Sequence, residues 1–166
     1  TLRQFLRRGD VETERLDLAA TVRETLPLLQ HVLHTHRVEL LVDDRVVPPP
    51  VAGNRVGLQQ VVVNLLVNAA EAMDACGAPD RRVLLRLGRS RLGARLTVAD
   101  SGPGIVPERR RDLFEPFTTT KSGGIGMGLA ICRSIVEAHG GTIHARRAPW
   151  GGAVFSIELP KMEGPA

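Results

Sequence analysis

Polar and apolar positions along this chain fall into two patterns, and the change from one to the other marks out its elements. Residues 59 to 73, QQVVVNLLVNAAEAM, form a mostly apolar run that predicts a long helix from about Asn54 to Met73. AATVRETLPLLQHVLHTH reads as an earlier helix despite Pro27, and LAICRSIVEAHGG as a later one. Shorter apolar segments read as strands: Val83–Leu87 and Leu96–Asp100, joined through a glycine-containing turn, and then TIHARR and GAVFSIELP. ERLDL and RVELLVDD are further strand candidates, and VVPPP breaks the chain before VAGN. VPERRRDLF predicts a short helix with Pro107 in its first turn. At the start, TLRQFLRRGD places Leu2, Phe5 and Leu6 on one side of a helix that stops at Gly9, like the end of something longer. Helices and strands alternate while hairpins are present, so the expected class is α+β with a mixed sheet.

Two residues interrupt the apolar run of the long helix. Asn64 and Asn68 are four apart and share a face, with Gln60 one turn before them and Glu71 one turn after. An asparagine side chain is costly to bury without partners, so this stripe calls for either a buried side-chain network or a ligand.

Length and composition narrow the class. At 166 residues the chain suits one domain with its own core, and its 43% apolar and 24% charged residues are those of an ordinary globular protein. It contains no run of eighteen apolar residues and no signal-peptide pattern. Cys76 and Cys132 stand far apart and outside CxxC spacing, which reads as two reduced thiols in a cytosolic setting. The net charge is +4, and 20 of the 22 basic residues are arginine. These arginines are scattered and aromatic residues are scarce, so the reading includes no nucleic-acid partner.

Three segments then carry candidate chemistry. In LTVADSGPGI a strand ends in Asp100, and Gly102 and Gly104 follow at once. The glycines let a ligand approach the backbone, and a carboxylate there can accept a hydrogen bond from the amino group of adenine. A plain polar turn would use the same residues. In KSGGIGMGLAICRSIVEAHGG, glycines at 123, 124, 126 and 128 precede a helix whose free N–H groups suit phosphates, with Lys121 upstream to add charge. Neither a Walker loop nor a dinucleotide fingerprint is present, and a glycine-rich lid without a ligand is the other reading. The third segment is the Asn64–Asn68 stripe, where an asparagine carbonyl can serve as one of the few protein ligands that a phosphate-bound magnesium needs. The three suit different parts of one ligand, Mg-ATP.

Four of these stretches together resemble the motif set of sensor histidine kinases. QQVVVNLLVNAAEAM resembles the N box, DSGPGI the G1 box, LFEPFTTTK the F box and GGIGMGL the G2 box, in that order over residues 59 to 129. The resemblance implies the catalytic and ATP-binding domain of a two-component kinase, in the superfamily shared with gyrase, heat-shock chaperone and mismatch-repair ATPases. It implies a two-layer α/β sandwich with ATP between the helix layer and a lid. Asn68 would ligate Mg²⁺, Asn64 would sit by the phosphates, and Asn64 and Lys121 would be the catalytic positions. Asp100 would bind adenine N6, with Gly102, Gly104 and Ile105 shaping the base pocket. Phe114 and Phe117 would anchor the lid, to which Thr119, Thr120 and Lys121 would belong. Gly124, Gly126 and Gly128 would hold the phosphates, next to Met127 and with Leu129 at the helix start. Thr118 stands where these kinases often carry a second phenylalanine.

The resemblance also bears on reaction type and partners. In the ATPase branch the position of Asn64 carries a glutamate that activates water, which an asparagine cannot do, so transfer to a protein group is favoured over hydrolysis. The acceptor motif of these kinases has an acidic residue directly after its histidine. Val32, Thr35 and Arg37 follow His31, His34 and His36, so none of the three fits, and they read, like His139 and His144, as surface or boundary histidines. The expected division is a helical stub over 1–9, the catalytic ATP-binding domain over 10–161 and a tail over 162–166. The expected partners are ATP, the dimerisation domain of the parent protein with its acceptor histidine, and a response-regulator receiver domain. A cytoplasmic domain, monomeric or weakly dimeric, would belong to a homodimeric parent whose membrane anchoring the sequence leaves open. A stand-alone ATPase, or a non-enzymatic ATP-sensing or partner-inhibiting module of the same fold, would carry the same motifs.

Overall fold

The structure, a computed structural model, describes residues 12–118 and 126–164. After β1 (Glu14–Leu16), the Asp17 carboxylate accepts the amides of Ala19 and Ala20 at 2.9 and 3.2 Å and starts α1 (Leu18–Thr35). Pro27 lies inside α1 on its exposed face, where water can satisfy the carbonyl that loses its partner. Strands β2 (Glu39–Asp43) and β3 (Val51–Gly53) follow. Asn54 then caps α2 (Arg55–Ala75), its side-chain oxygen taking the Gly57 amide at 2.8 Å. The chain continues through β4 (Arg82–Arg89), β5 (Gly93–Asp100), a 3₁₀ turn (Pro107–Arg109), α3 (Gly128–Ala138), β6 (Thr142–Arg147) and β7 (Ala153–Pro160).

Five strands form one mixed sheet in the order β2-β4-β5-β7-β6, with β2 parallel to β4 and every other pair antiparallel. Side chains alternate across it. Val83, Leu85 and Leu87 of β4, Leu96 and Val98 of β5 and Phe155, Ile157 and Leu159 of β7 are buried on the inner face. Against them α2 packs Leu58, Val61, Val62, Leu65, Leu66, Ala69 and Met73, a stripe with helical spacing. Among the described helices, only α2 has the length and apolarity of a membrane span, and it is the core helix of this domain. The other face of the sheet presents Arg86, Arg95, His144 and Arg146 to solvent. The result is the expected α+β sandwich.

Three details differ from the sequence reading. VAG forms β3, which pairs antiparallel with β1, while Val51 also bridges to Lys161; three residues are too few for alternation to reveal. VPERRRDLF yields one 3₁₀ turn and further turns in place of a helix, because no residue of Pro107–Arg109 is buried to hold a longer one. His139 is no loose boundary residue. Its Nε2 accepts the Asn54 amide at 2.9 Å, and its Nδ1 bonds to the Ile135 carbonyl at 2.7 Å, so Nδ1 is the protonated nitrogen. The expected stub over 1–9 lies outside the described residues, and backbone pairing at the other end runs to Met162, which donates to the Pro50 carbonyl.

Candidate functional site

Helix α3 runs antiparallel to α2 and touches it at three levels. His139 meets Asn54, Cys132 Sγ lies 3.8 Å from the Val61 carbonyl oxygen, and Asn64 Nδ2 donates to the Gly128 carbonyl at 3.3 Å. Burial pushes the Cys132 thiol up to about 12, and the neighbouring Asn64 opposes this only in part. The polar stripe on α2 therefore begins as a contact with α3. Met127 precedes α3 without a side-chain cap, so the first-turn amides depend on other partners.

Toward its C-terminal end, α2 reaches the end of β5. Met73 Sδ lies 3.3 Å from the Ser101 hydroxyl, which also accepts the Arg82 amide and donates to the Asp80 carbonyl. Next to it, Asp100 is 3% exposed. Its Oδ1 accepts the amides of Gly102 at 2.8 Å and Ala153 at 3.2 Å; Oδ2 receives neither. Burial raises the pKa of this carboxyl, and the two amides only partly offset it. The turn beyond is tight: Gly104 has φ +81°, and a Cβ there would lie 2.3 Å from the Gly151 carbonyl oxygen, so a glycine is required.

Between these two ends lies a cavity of about 580 Å³. Asn64, Asn68 and Glu71 line its α2 side, Asp100, Gly104 and Ile105 one end, and Gly126, Met127, Gly128 and Leu129 the other. Gly102 is not in the wall; its role is to hold Asp100. The stripe breaks at its first member, since Gln60 is exposed and away from the cavity. Thr119, Thr120, Lys121 and Gly124 lie outside the described residues. On either side of that segment, the Phe117 amide donates to the Gly126 carbonyl at 3.1 Å. The Phe117 ring is 67% exposed, whereas the Phe114 ring packs edge-on against Phe155 with centroids 6.3 Å apart.

Sequence reasoning missed several wall residues. Phe155 and Ala153 come from the inner face of β7, and Val67 and Ala72 from α2. The alternation in GAVFSIEL and the helical spacing beside Asn68 could have placed them. Arg109 and Leu113, on the turn after Ile105, gave no local signal.

This fold and cavity define a nucleotide-binding class, and comparison with known proteins says which. The family model described as "Histidine kinase-, DNA gyrase B-, and HSP90-like ATPase" matches residues 53–163, and the chain belongs to that family. Within it, the relatives are sensor kinases. The C4-dicarboxylate transport sensor protein DctS of Rhodobacter capsulatus is 40% identical over 162 residues, covering 96% of this chain and 24% of that protein. The sensor histidine kinase TmoS of Ectopseudomonas mendocina is 37% identical, covering 96% and 16%. Among solved structures, the catalytic domain of histidine kinase ThkA in nucleotide-free form matches with TM-score 0.79 and 30% identity, over 90% of this chain and 96% of that one. ThkA in complex with response regulator protein TrrA matches with TM-score 0.78 and 27% identity, over 97% and 46%. The chain is thus a catalytic, ATP-binding domain of the sensor histidine kinase type. It spans a quarter or less of the length of the curated relatives named here.

Proposed function

We propose that this domain binds Mg-ATP with adenine at Asp100 and the phosphates along Asn64, Asn68 and the first turn of α3, and presents the γ-phosphate to a histidine on a dimerisation domain of its parent protein. One observation carries the orientation. The same helix meets the Asp100 end through Met73 and the α3 end through Asn64, and nine residues of helix separate the two by roughly 13 Å. A buried carboxylate whose Oδ2 takes neither the Gly102 nor the Ala153 amide suits a base amino group, and helix amides without a side-chain cap suit phosphate.

The donor set fits magnesium carried on phosphates. Among the described residues no group of three or more His, Cys, Asp or Glu could hold a metal alone, while the Asn68 side chain faces the cavity. A hard cation that keeps its phosphate and water ligands needs only one or two such oxygens. Asn68 would hold it, and the ion would neutralise charge on the phosphates. Lys121, Thr119, Thr120 and Gly124 are assigned to the lid by resemblance alone.

Asn64 takes part in no proton transfer in this reading. Its amide bonds to Gly128, so its task is to hold the start of α3 where the phosphates lie. Positioning of this kind supplies most of what phosphoryl transfer needs from a protein. Onward transfer to a response regulator is supported by the kinase–regulator complex among the similar structures. A cytoplasmic place follows from ATP as substrate, with any anchor lying elsewhere in the parent.

The test mixes the chain with radiolabelled Mg-ATP and the helical acceptor hairpin of its parent. Acid-labile, alkali-stable label on the hairpin, absent with Asp100→Asn, is expected. Steady phosphate release without labelling would favour the stand-alone ATPase.

A further inference from the structure

The chain has a single tryptophan, Trp150, in the short loop between β6 and β7. This loop is closed by two backbone bonds, Ala148 N–H to the Gly152 carbonyl at 2.6 Å and Gly151 N–H to the Ala148 carbonyl at 2.9 Å. Trp150 is 62% exposed and is not part of the nucleotide cavity. Its ring lies on the opposite face of the sheet, in a groove of about 610 Å³ shared with Leu84, Thr97, Ala99 and Val154. Yet its indole Nε1–H donates, at 3.0 Å, to the backbone carbonyl of Asp100.

That bond has a definite place in the geometry of Asp100. The β5–β7 ladder ends at Ala99 and Val154. One step beyond, the Ala153 amide goes to the Asp100 carboxylate instead of extending the ladder. The Asp100 carbonyl takes the indole in its place. The residue is thus held from two sides of the sheet, its carboxylate by Gly102 and Ala153 on the cavity side and its carbonyl by Trp150 on the other. Contact is close enough that a Cβ on Gly152 would lie 1.8 Å from the Asp100 carbonyl oxygen.

We propose that Trp150 is a positioning residue for base selection: from the far face of the sheet it fixes the backbone of Asp100, and so the direction in which the carboxylate meets adenine. Trp150 touches no part of the nucleotide. This rests on the reading of Asp100 as the adenine acceptor. A carboxylate discriminates adenine from guanine only while its free oxygen is aimed at the amino group, because guanine presents an acceptor there. Rotation of the strand end would weaken ATP binding and, more than that, the preference for ATP over GTP.

The experiment compares ATP and GTP affinities of the wild type, Trp150→Phe, Trp150→His and Asp100→Asn. The phenylalanine keeps a ring over the groove and lacks the N–H; the histidine restores a ring N–H. The expected result is a loss of about fivefold in the ATP/GTP affinity ratio for Trp150→Phe, the weight of one neutral hydrogen bond, with partial recovery in Trp150→His. An unchanged ratio in a folded Trp150→Phe overturns the proposal. Absence of any ATP/GTP preference in the wild type, unaltered by Asp100→Asn, overturns the adenine reading itself, and the two failures are thereby distinct. A measurement on the wild type covers the case of a variant that does not fold. The one indole N–H resonance should exchange slowly with solvent despite its exposed ring, and should shift on saturation with ATP. Exchange at the rate of a free indole, with no shift, overturns the proposal.

Discussion

Asn64 gives its side-chain amide to the carbonyl oxygen of Gly128, tying the middle of α2 to the first residue of α3 at one end of the cavity. Replacing that donor with an acceptor should set two oxygens against each other. Asn64→Asp is expected to lower stability by about 1–3 kcal/mol and to abolish labelling of the acceptor hairpin. Denaturant unfolding and the phosphotransfer assay read the two effects separately.

Asp100 predicts opposite pH trends for stability and for binding. Its pKa is raised by burial, so the folded protein holds that proton more tightly than the unfolded chain. Between the ordinary carboxylate value and the raised one, stability without nucleotide should fall as pH rises, because the ionised form is the poorly solvated one. ATP binding should run the other way, weakening as pH falls through the raised value and the acceptor is lost. In Asp100→Asn both contributions should vanish, with melting no lower than in the wild type at neutral pH and ATP affinity reduced. Calorimetric melting and ATP titrations from pH 4 to about 8 check this.

Two glycines, one against Asp100 and one in the cavity wall, should respond differently to alanine. Gly152→Ala drives a Cβ into the Asp100 carbonyl and should cost about 3 kcal/mol or prevent folding. Gly128→Ala meets no atom within 4 Å and stands in the first turn of a helix, so its fold should be as stable as the wild type. If Gly128 is small for the sake of the phosphates, the same variant should bind ATP more weakly. Melting curves beside ATP titrations separate the two roles.

The thiols should react in two phases. Cys76 is exposed, whereas Cys132 is buried with its pKa pushed up to about 12. A thiol reagent at pH 8 should titrate one group at once and the second only as the protein unfolds. Two fast thiols would show that the α2–α3 contact is loose.

His139→Ala should destabilise by about 1–3 kcal/mol, since the Asn54 amide loses its acceptor at the start of α2. Chemical denaturation measures it, and His139→Gln should recover part of the loss.

The sequence disclosed most of this architecture because its elements carry their own signals. Short apolar segments around a glycine-containing turn gave β4 and β5, a long apolar run gave α2, and Asp100 and the glycines after it stood at a strand end. What stayed hidden depends on distant pairing. The three residues of β3 are a strand only because β1 and Lys161 lie beside them. Gln60 has the right spacing for the polar stripe, but the cavity ends before it reaches that level of the helix. His139 gave no hint of its bond to Asn54, 85 residues away in the chain. Nothing in the residues around Trp150 points to its hydrogen bond with Asp100, which spans 50 residues.

The three-level seam between α2 and α3 has a mechanical consequence. With Asn54, Val61 and Asn64 each engaged by α3, the first half of α2 is braced against the full length of α3. Bonds at both ends and the middle of α3 oppose a tilt of that helix away from α2, so these two segments should move as one body.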